Sequence, residues 1–181
     1  MIAAGLTRLL AVLESLGIPY YVCGSVASSV HGLPRTTMDV DLVVALTPEI
    51  VPAFAQELKG EFYADEEMMR EALAAGRAFN LIHFASSLKL DIFPLAGDPF
   101  ARLQFARRRT AQYEAVRFPI ASPEDTILSK LIWYRAGGDV SERQWNDVRG
   151  IVAVQGEQLD TSYLREWAPR LGVADLLDRL L

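Results

Sequence analysis

Two aspartates one residue apart interrupt an apolar run, Met38-Asp39-Val40-Asp41-Leu42-Val43-Val44, and nothing else in the chain restricts its fold so tightly. The run has the length and β-branched content of a strand, set at residues 38–46. Side chains alternate faces along a strand, so Asp39 and Asp41 share one face, and Val40, Leu42 and Val44 share the other. Neighbouring carboxylates repel, and a half-buried setting makes that repulsion costly. A divalent cation relieves it, and hard oxygen donors suit Mg²⁺ or Mn²⁺. The pattern recurs in Leu88-Lys89-Leu90-Asp91-Ile92, where Leu88, Leu90 and Ile92 form one face and Lys89 and Asp91 the other. A third carboxylate would complete a two-metal site. In such a site, ions ~4 Å apart hold the attacking and leaving oxygens of a displacement at phosphorus.

Gly24-Ser25 fits the same chemistry. A strand over 18–24 leads into it and a short helix over 25–32 leaves it. Glycine permits close backbone approach, and Ser25 is expected to cap the helix. A helix N-terminus presents free N–H groups to an anion such as phosphate.

Around this centre the chain changes texture once. Residues 1–121 read as α+β. They open with an amphipathic helix whose face carries Leu6, Leu9, Leu10, Leu13 and Leu16. Helices follow at 47–60 (Thr47 capping, Pro48 at the first turn, Pro52 blurring the start) and 64–76. A hairpin joins 78–86 to 88–95, and a helix over 98–109 precedes a strand over 114–121. Residues 122–181 read as a helical bundle, with Ser122 and Ser141 as N-caps. The division expected is therefore a core of 1–121 and a helical domain of 122–181.

Composition bounds the partners. The net charge of −5 argues against broad non-specific binding to nucleic acid. The arginines of Arg107-Arg108-Arg109 then read as a solvated helix face. No apolar run is long enough to cross a membrane, and the N-terminal stretch lacks the marks of a signal peptide. The single cysteine, Cys23, cannot form an internal disulfide and reads as a small core residue, which agrees with a cytoplasmic setting. His31 and His83 lack metal-ligand spacing and read as structural. Asp147 reads as half of a helix-surface ion pair.

Gly24-Ser25, thirteen intervening residues, Asp39-Val40-Asp41 and a later Asp91 together resemble the DNA polymerase β-like nucleotidyltransferase superfamily. The stretch "GSVASSVHGLPRTTMDVDLVV" and the tail segments "SPEDTILSKLIWYRAGG" and "WNDVRGIV" are similar to those of small prokaryotic AbiE-type toxins. The likeness covers about residues 15–155. It implies an α+β fold, a mixed-sheet nucleotidyltransferase core followed by a C-terminal helical bundle. It implies that Asp39, Asp41 and Asp91 bind Mg²⁺ (or Mn²⁺), with Asp91 also helping to deprotonate the attacking hydroxyl. Gly24 and Ser25 would hold the β- and γ-phosphates of a nucleoside triphosphate such as ATP. Lys130 matches a phosphate-contacting lysine of related toxins, and Asp147 a further acidic residue. From its own position Lys130 reads equally as a surface lysine beside the apolar stripe. Arg35 and Thr36 either contact substrate or shape the turn after Pro34.

The activity implied is transfer of a nucleoside monophosphate to a hydroxyl on tRNA, a protein or a small molecule. The partners implied are the triphosphate, such an acceptor, and a toxin or antitoxin partner. The alternative is a member of the same fold that binds nucleotide or a partner without turnover.

Overall fold

The computed structural model describes residues 2–113 and 116–181. The chain runs α1 (Ile2–Ser15), β1 (Tyr20–Cys23), α2 (Gly24–His31), β2 (Asp39–Val44), α3 (Val51–Leu58), β3 (Phe62–Tyr63), α4 (Glu66–Ala74), β4 (Phe79–His83), β5 (Leu88–Pro94), α5 (Pro99–Arg107), β6 (Arg109–Tyr113), β7 (Val116–Ile120), α6 (Pro123–Ala136), α7 (Glu142–Gln155), α8 (Thr161–Arg170) and α9 (Ala174–Asp178). The strands form one mixed sheet in the order β3-β4-β5-β2-β1-β7-β6. It is an α+β fold with a helical C-terminal bundle.

The strand that carries Asp39 and Asp41 is central, because β5 pairs with it in parallel and β1 antiparallel. Its alternation is realised: Val40, Leu42 and Val44 are fully buried, while Asp39 is exposed and Asp41 half-buried. Leu88, Leu90 and Ile92 of β5 bury on the same side. That apolar face packs under the leucine stripe of α1 and the Val51, Phe54 and Leu58 stripe of α3. The opposite sheet face carries Asp39, Asp41, Lys89 and Asp91 together with Tyr21, Cys23, Val43 and Phe93. A second core joins Ile127, Leu128 and Leu131 of α6 to α7, α8 and α9, with Phe100 of α5 reaching into it.

Several elements depart from the expected bounds. Helix α3 starts after Ile50 with Pro52 in its first turn. Thr47 instead accepts a turn hydrogen bond from Ile50 N–H, because proline sits best where no N–H is needed. Ser25 does not cap α2: the capping position is Cys23, which makes no side-chain hydrogen bond. Arg109 belongs to a strand, β6, which the sequence reading did not anticipate and which pairs antiparallel with β7. Glu114 and Ala115 of the expected strand over 114–121 lie outside the described residues.

The arginine run is not a solvated helix face. Arg107 and Arg109 reach Glu124 at 3.3 and 3.4 Å, and Arg107 lies 3.6 Å from Asp125. Both acids are completely buried. Tyr163 O–H donates to Asp125 at 2.6 Å, and the Arg107 guanidinium stacks 3.7 Å above the Tyr163 ring. This paired cluster ties the sheet edge to α6 and α8. Ser122 caps α6, accepting from Asp125 N–H at 3.0 Å, as its sequence signature predicts. His31 is buried and its ring donates to the Ala121 carbonyl at 2.7 Å. His83 lies 2.7 Å from the Ser86 hydroxyl.

Candidate active site

The site is built on the register between β2 and β5. Asp41 lies directly opposite Asp91, and Asp39 opposite Lys89. Adjacent strands are ~4.8 Å apart, so the two central carboxylates are lateral neighbours on the open face of the sheet. On the other side of β2, Cys23 pairs with Asp41, and the chain then turns through Gly24 into α2.

Gly24 is indispensable to that turn. Its φ is +59°, and a Cβ there would lie 1.8 Å from Asp41 Oδ2 and 2.6 Å from its Cγ. The backbone thus lies against the Asp41 carboxylate, which also accepts a backbone hydrogen bond from Ser25. Burial raises the Asp41 pKa above the usual carboxylate range, with the neighbouring Asp91 charge adding to it. A carboxylate held in this way gains from an added cation. The donor set (Asp39, Asp41 and Asp91, all hard oxygens) therefore fits Mg²⁺ or Mn²⁺ in kind. As they stand, no three His, Cys, Asp or Glu side chains among the described residues are gathered around one point. Asp91 Oδ2 instead accepts from Lys89 Nζ at 2.9 Å.

A second charged group faces this row from the helical tail. Lys130 is buried, 4% exposed, and is not a surface lysine. Its Nζ lies 2.8 Å from Asp147 Oδ2 and donates to Gln144 Oε1 at 2.9 Å. Asp147 is buried as well, contrary to the expected surface ion pair, because α7 packs directly on α2. Gly32 and Gly150 permit this. A Cβ on Gly32 would stand 2.7 Å from Ile151 N, and one on Gly150 3.2 Å from Leu33 N. Arg35, in the loop after α2, clasps Asp147 with its Nε and Nη2 at 2.8 and 2.9 Å, and Nη2 also donates to the Ser25 hydroxyl at 2.6 Å. Burial works to raise the Asp147 pKa, but hydrogen bonds and charge from Arg35 and Lys130 outweigh it and hold the carboxyl below its ordinary value. Asp147 thus holds two cations beside Ser25. Thr36 is exposed, and its carbonyl accepts from Arg35 Nη1 at 3.3 Å.

Between these banks lies a cavity of about 290 Å³. Its floor is Tyr21, Cys23, Asp41, Val43 and Phe93, with Gly24 and Ser25 at one end. Its roof is one face of α6, where Thr126, Ser129, Lys130 and Trp133 recur at helical spacing. Trp133 is 61% exposed at the lip. Cys23 is half-buried in this wall rather than sunk in the core, and burial pushes its thiol pKa well up, with Asp41 adding to it. The sequence reading missed Trp133, Gln144 and Lys89 as site residues. The signal for Lys89 was present in its alternation with Asp91.

No family model and no curated protein matches the chain. Solved structures do. The solution structure of the antibiotic-resistance factor ANT(2'')-Ia matches with a TM-score of 0.56 at 14% identity, covering 96% of this chain and 95% of that one. The crystal structure of ANT(2'')-Ia in complex with adenylyl-2''-tobramycin gives 0.56 at 14% identity, with 91% and 95% covered. An antigenic nucleotidyltransferase-like protein from Paracoccidioides brasiliensis gives 0.50 at 20% identity, with 93% and 90% covered. The fold of this chain is thus that of the nucleotidyltransferases, sheet and helical tail together. None of these three relatives is described as an AbiE-type toxin.

Proposed function

We propose that the protein is a metal-dependent nucleotidyltransferase that moves a nucleoside monophosphate from a triphosphate to a hydroxyl acceptor. One observation carries the reading. Asp41 and Asp91 stand in register on one sheet face, while Arg35 and Lys130 are held on Asp147 beside the Ser25 turn. Asp41 of the carboxylate row and Lys130 of the cation pair line the same cavity, which sets a carboxylate for a metal against a cation for a polyanion.

Asp39, Asp41 and Asp91 would hold Mg²⁺, which when bound neutralises charge at the reacting phosphate and aligns the two oxygens exchanged there. Gly24 and Ser25 receive the β- and γ-phosphates, with Lys130 and Arg35 as point charge and fork. Asp91 accepts the proton of the acceptor hydroxyl. The acceptor oxygen then bonds to the α-phosphorus as the bond to the departing pyrophosphate breaks. A cytoplasmic setting, ATP as donor, an acceptor on tRNA, a protein or a small molecule, and a place in a toxin–antitoxin pair belong to this reading as its finer parts. They rest on the motif resemblance. A second reading, nucleotide or partner binding without turnover, draws on the Lys89–Asp91 contact, which leaves Asp91 engaged.

The deciding experiment incubates the protein with each labelled triphosphate and Mg²⁺, alone and with total tRNA, beside Asp41→Asn. Label transferred by the wild type only supports the reading. Nucleotide bound equally by both proteins, with no transfer, sinks it.

A further inference from the structure

The carboxylate row already contains a cation. Lys89 precedes Asp91 by two residues on β5, so both side chains emerge on the same face. Lys89 also lies directly opposite Asp39 in the β2–β5 register. Its ammonium rests 2.9 Å from Asp91 Oδ2, and among the described residues this is the one ion pair made by any of the three aspartates. The two partners differ in freedom. The Lys89 side chain is 42% exposed and that of Asp91 17%, so the lysine can leave without moving the strand, while the aspartate stays.

We propose that Lys89 is a built-in counter-cation that competes with the divalent metal for Asp91. The inference rests on the function proposed above and adds a residue to it. A divalent ion and an ammonium repel, so each weakens the other's hold on one carboxylate. Metal binding at Asp91 therefore weakens the Lys89 contact, and the flexible four-carbon stem lets the ammonium swing toward solvent on the Asp39 side. Without metal, the ammonium offsets part of the repulsion among the carboxylates. The metal meets a site whose affinity is set by an exchange of cations, and a neutral side chain at this position removes the competitor.

The test is a Mn²⁺ titration of the whole chain without nucleotide, reading free Mn²⁺ by electron paramagnetic resonance. It compares wild type, Lys89→Gln, Lys89→Arg, and Lys89→Gln combined with Asp41→Asn. Lys89→Gln is expected to bind Mn²⁺ about fivefold more tightly than wild type, the upper end for release of an exposed ion pair. Lys89→Arg keeps a cation and should stay near wild type. Adding Asp41→Asn should abolish the gain. Equal or weaker binding by Lys89→Gln, where Asp41→Asn still removes binding, overturns this proposal alone. Tighter binding that survives Asp41→Asn places the ion elsewhere and also overturns it. No Mn²⁺ binding by any variant overturns it together with the function on which it rests.

Discussion

Replacing Gly24 by alanine adds one methyl group at the most crowded point of the site. Two terms follow. An L-residue at φ +59° carries left-handed strain of about 1–2 kcal/mol. The new Cβ would also lie 1.8, 2.6 and 2.9 Å from Oδ2, Cγ and Cβ of Asp41, so the whole side chain must move rather than its tip. Moving it gives up the backbone hydrogen bond from Ser25; a bond to a charged group is worth about 1.5–3 kcal/mol. The expected loss is about 2.5–5 kcal/mol, the two terms together, a large share of a typical domain's 5–15 kcal/mol. Gly60 supplies the control: its φ is +85° and nothing lies within 4 Å of an added Cβ. Gly60→Ala should cost about 1–2 kcal/mol, the strain term alone. Urea unfolding of both variants measures the difference, and Mn²⁺ affinity should fall at least tenfold in Gly24→Ala only. In a Gly24→Ala, Asp41→Ala double mutant the two nearest atoms are gone while the 2.9 Å contact remains. Part of the loss should return as a coupling above ~1 kcal/mol. Equal destabilisation by Gly24→Ala and Gly60→Ala, within ~0.5 kcal/mol, would refute the reasoning.

Three further outcomes are expected. Asp147→Asn should destabilise by about 3 kcal/mol in a denaturant melt, since it leaves Lys130 buried with a weakened partner; a change below ~1 kcal/mol contradicts it. Because Arg35 and Lys130 depress the Asp147 pKa, its stabilisation is complete above the unfolded carboxylate value and drains away as pH falls through the folded one. The acid limb of the stability–pH curve should therefore be shallower in Asp147→Asn than in wild type, and parallel limbs would show that the carboxylate plays no such part. Lys130→Ala should raise the Michaelis constant for the triphosphate about tenfold or more, in line with the loss of a charged hydrogen bond, and an unchanged constant would deny it a phosphate.

The site was legible where one residue type meets one constraint. Asp39, Asp41 and Asp91 each break an apolar alternation, and alternation assigns a face without any knowledge of the partner strand. Ser122 followed by Pro123 and Asp125 announced its helix for the same local reason. The rest depends on what comes together. Asp147 reads as surface in its own polar segment, and only the approach of α7 to α2 buries it. The two glycines that allow that approach, Gly32 and Gly150, lie 118 positions apart. Arg107 and Arg109 have the composition of a solvated run until Glu124 and Asp125, buried with α6, claim them. Strand β6 reads Arg-Thr-Ala-Gln-Tyr, with no apolar alternation to mark it, and is a strand because β7 lies beside it. Ser25 has the chemistry of a cap, but its hydroxyl takes the Arg35 guanidinium instead.

The two banks of the cleft carry opposite imbalances. The sheet face holds three aspartates against one lysine, while the other bank sets Lys130 of the helical tail and Arg35 of the loop after α2 against one aspartate. A bare divalent ion answers the first bank and is repelled by the second; a bare polyphosphate does the reverse. Under the proposed function a metal–polyphosphate pair would satisfy both, and each member would bind more tightly once the other is in place. Linkage makes that help mutual and equal in size, whichever arrives first.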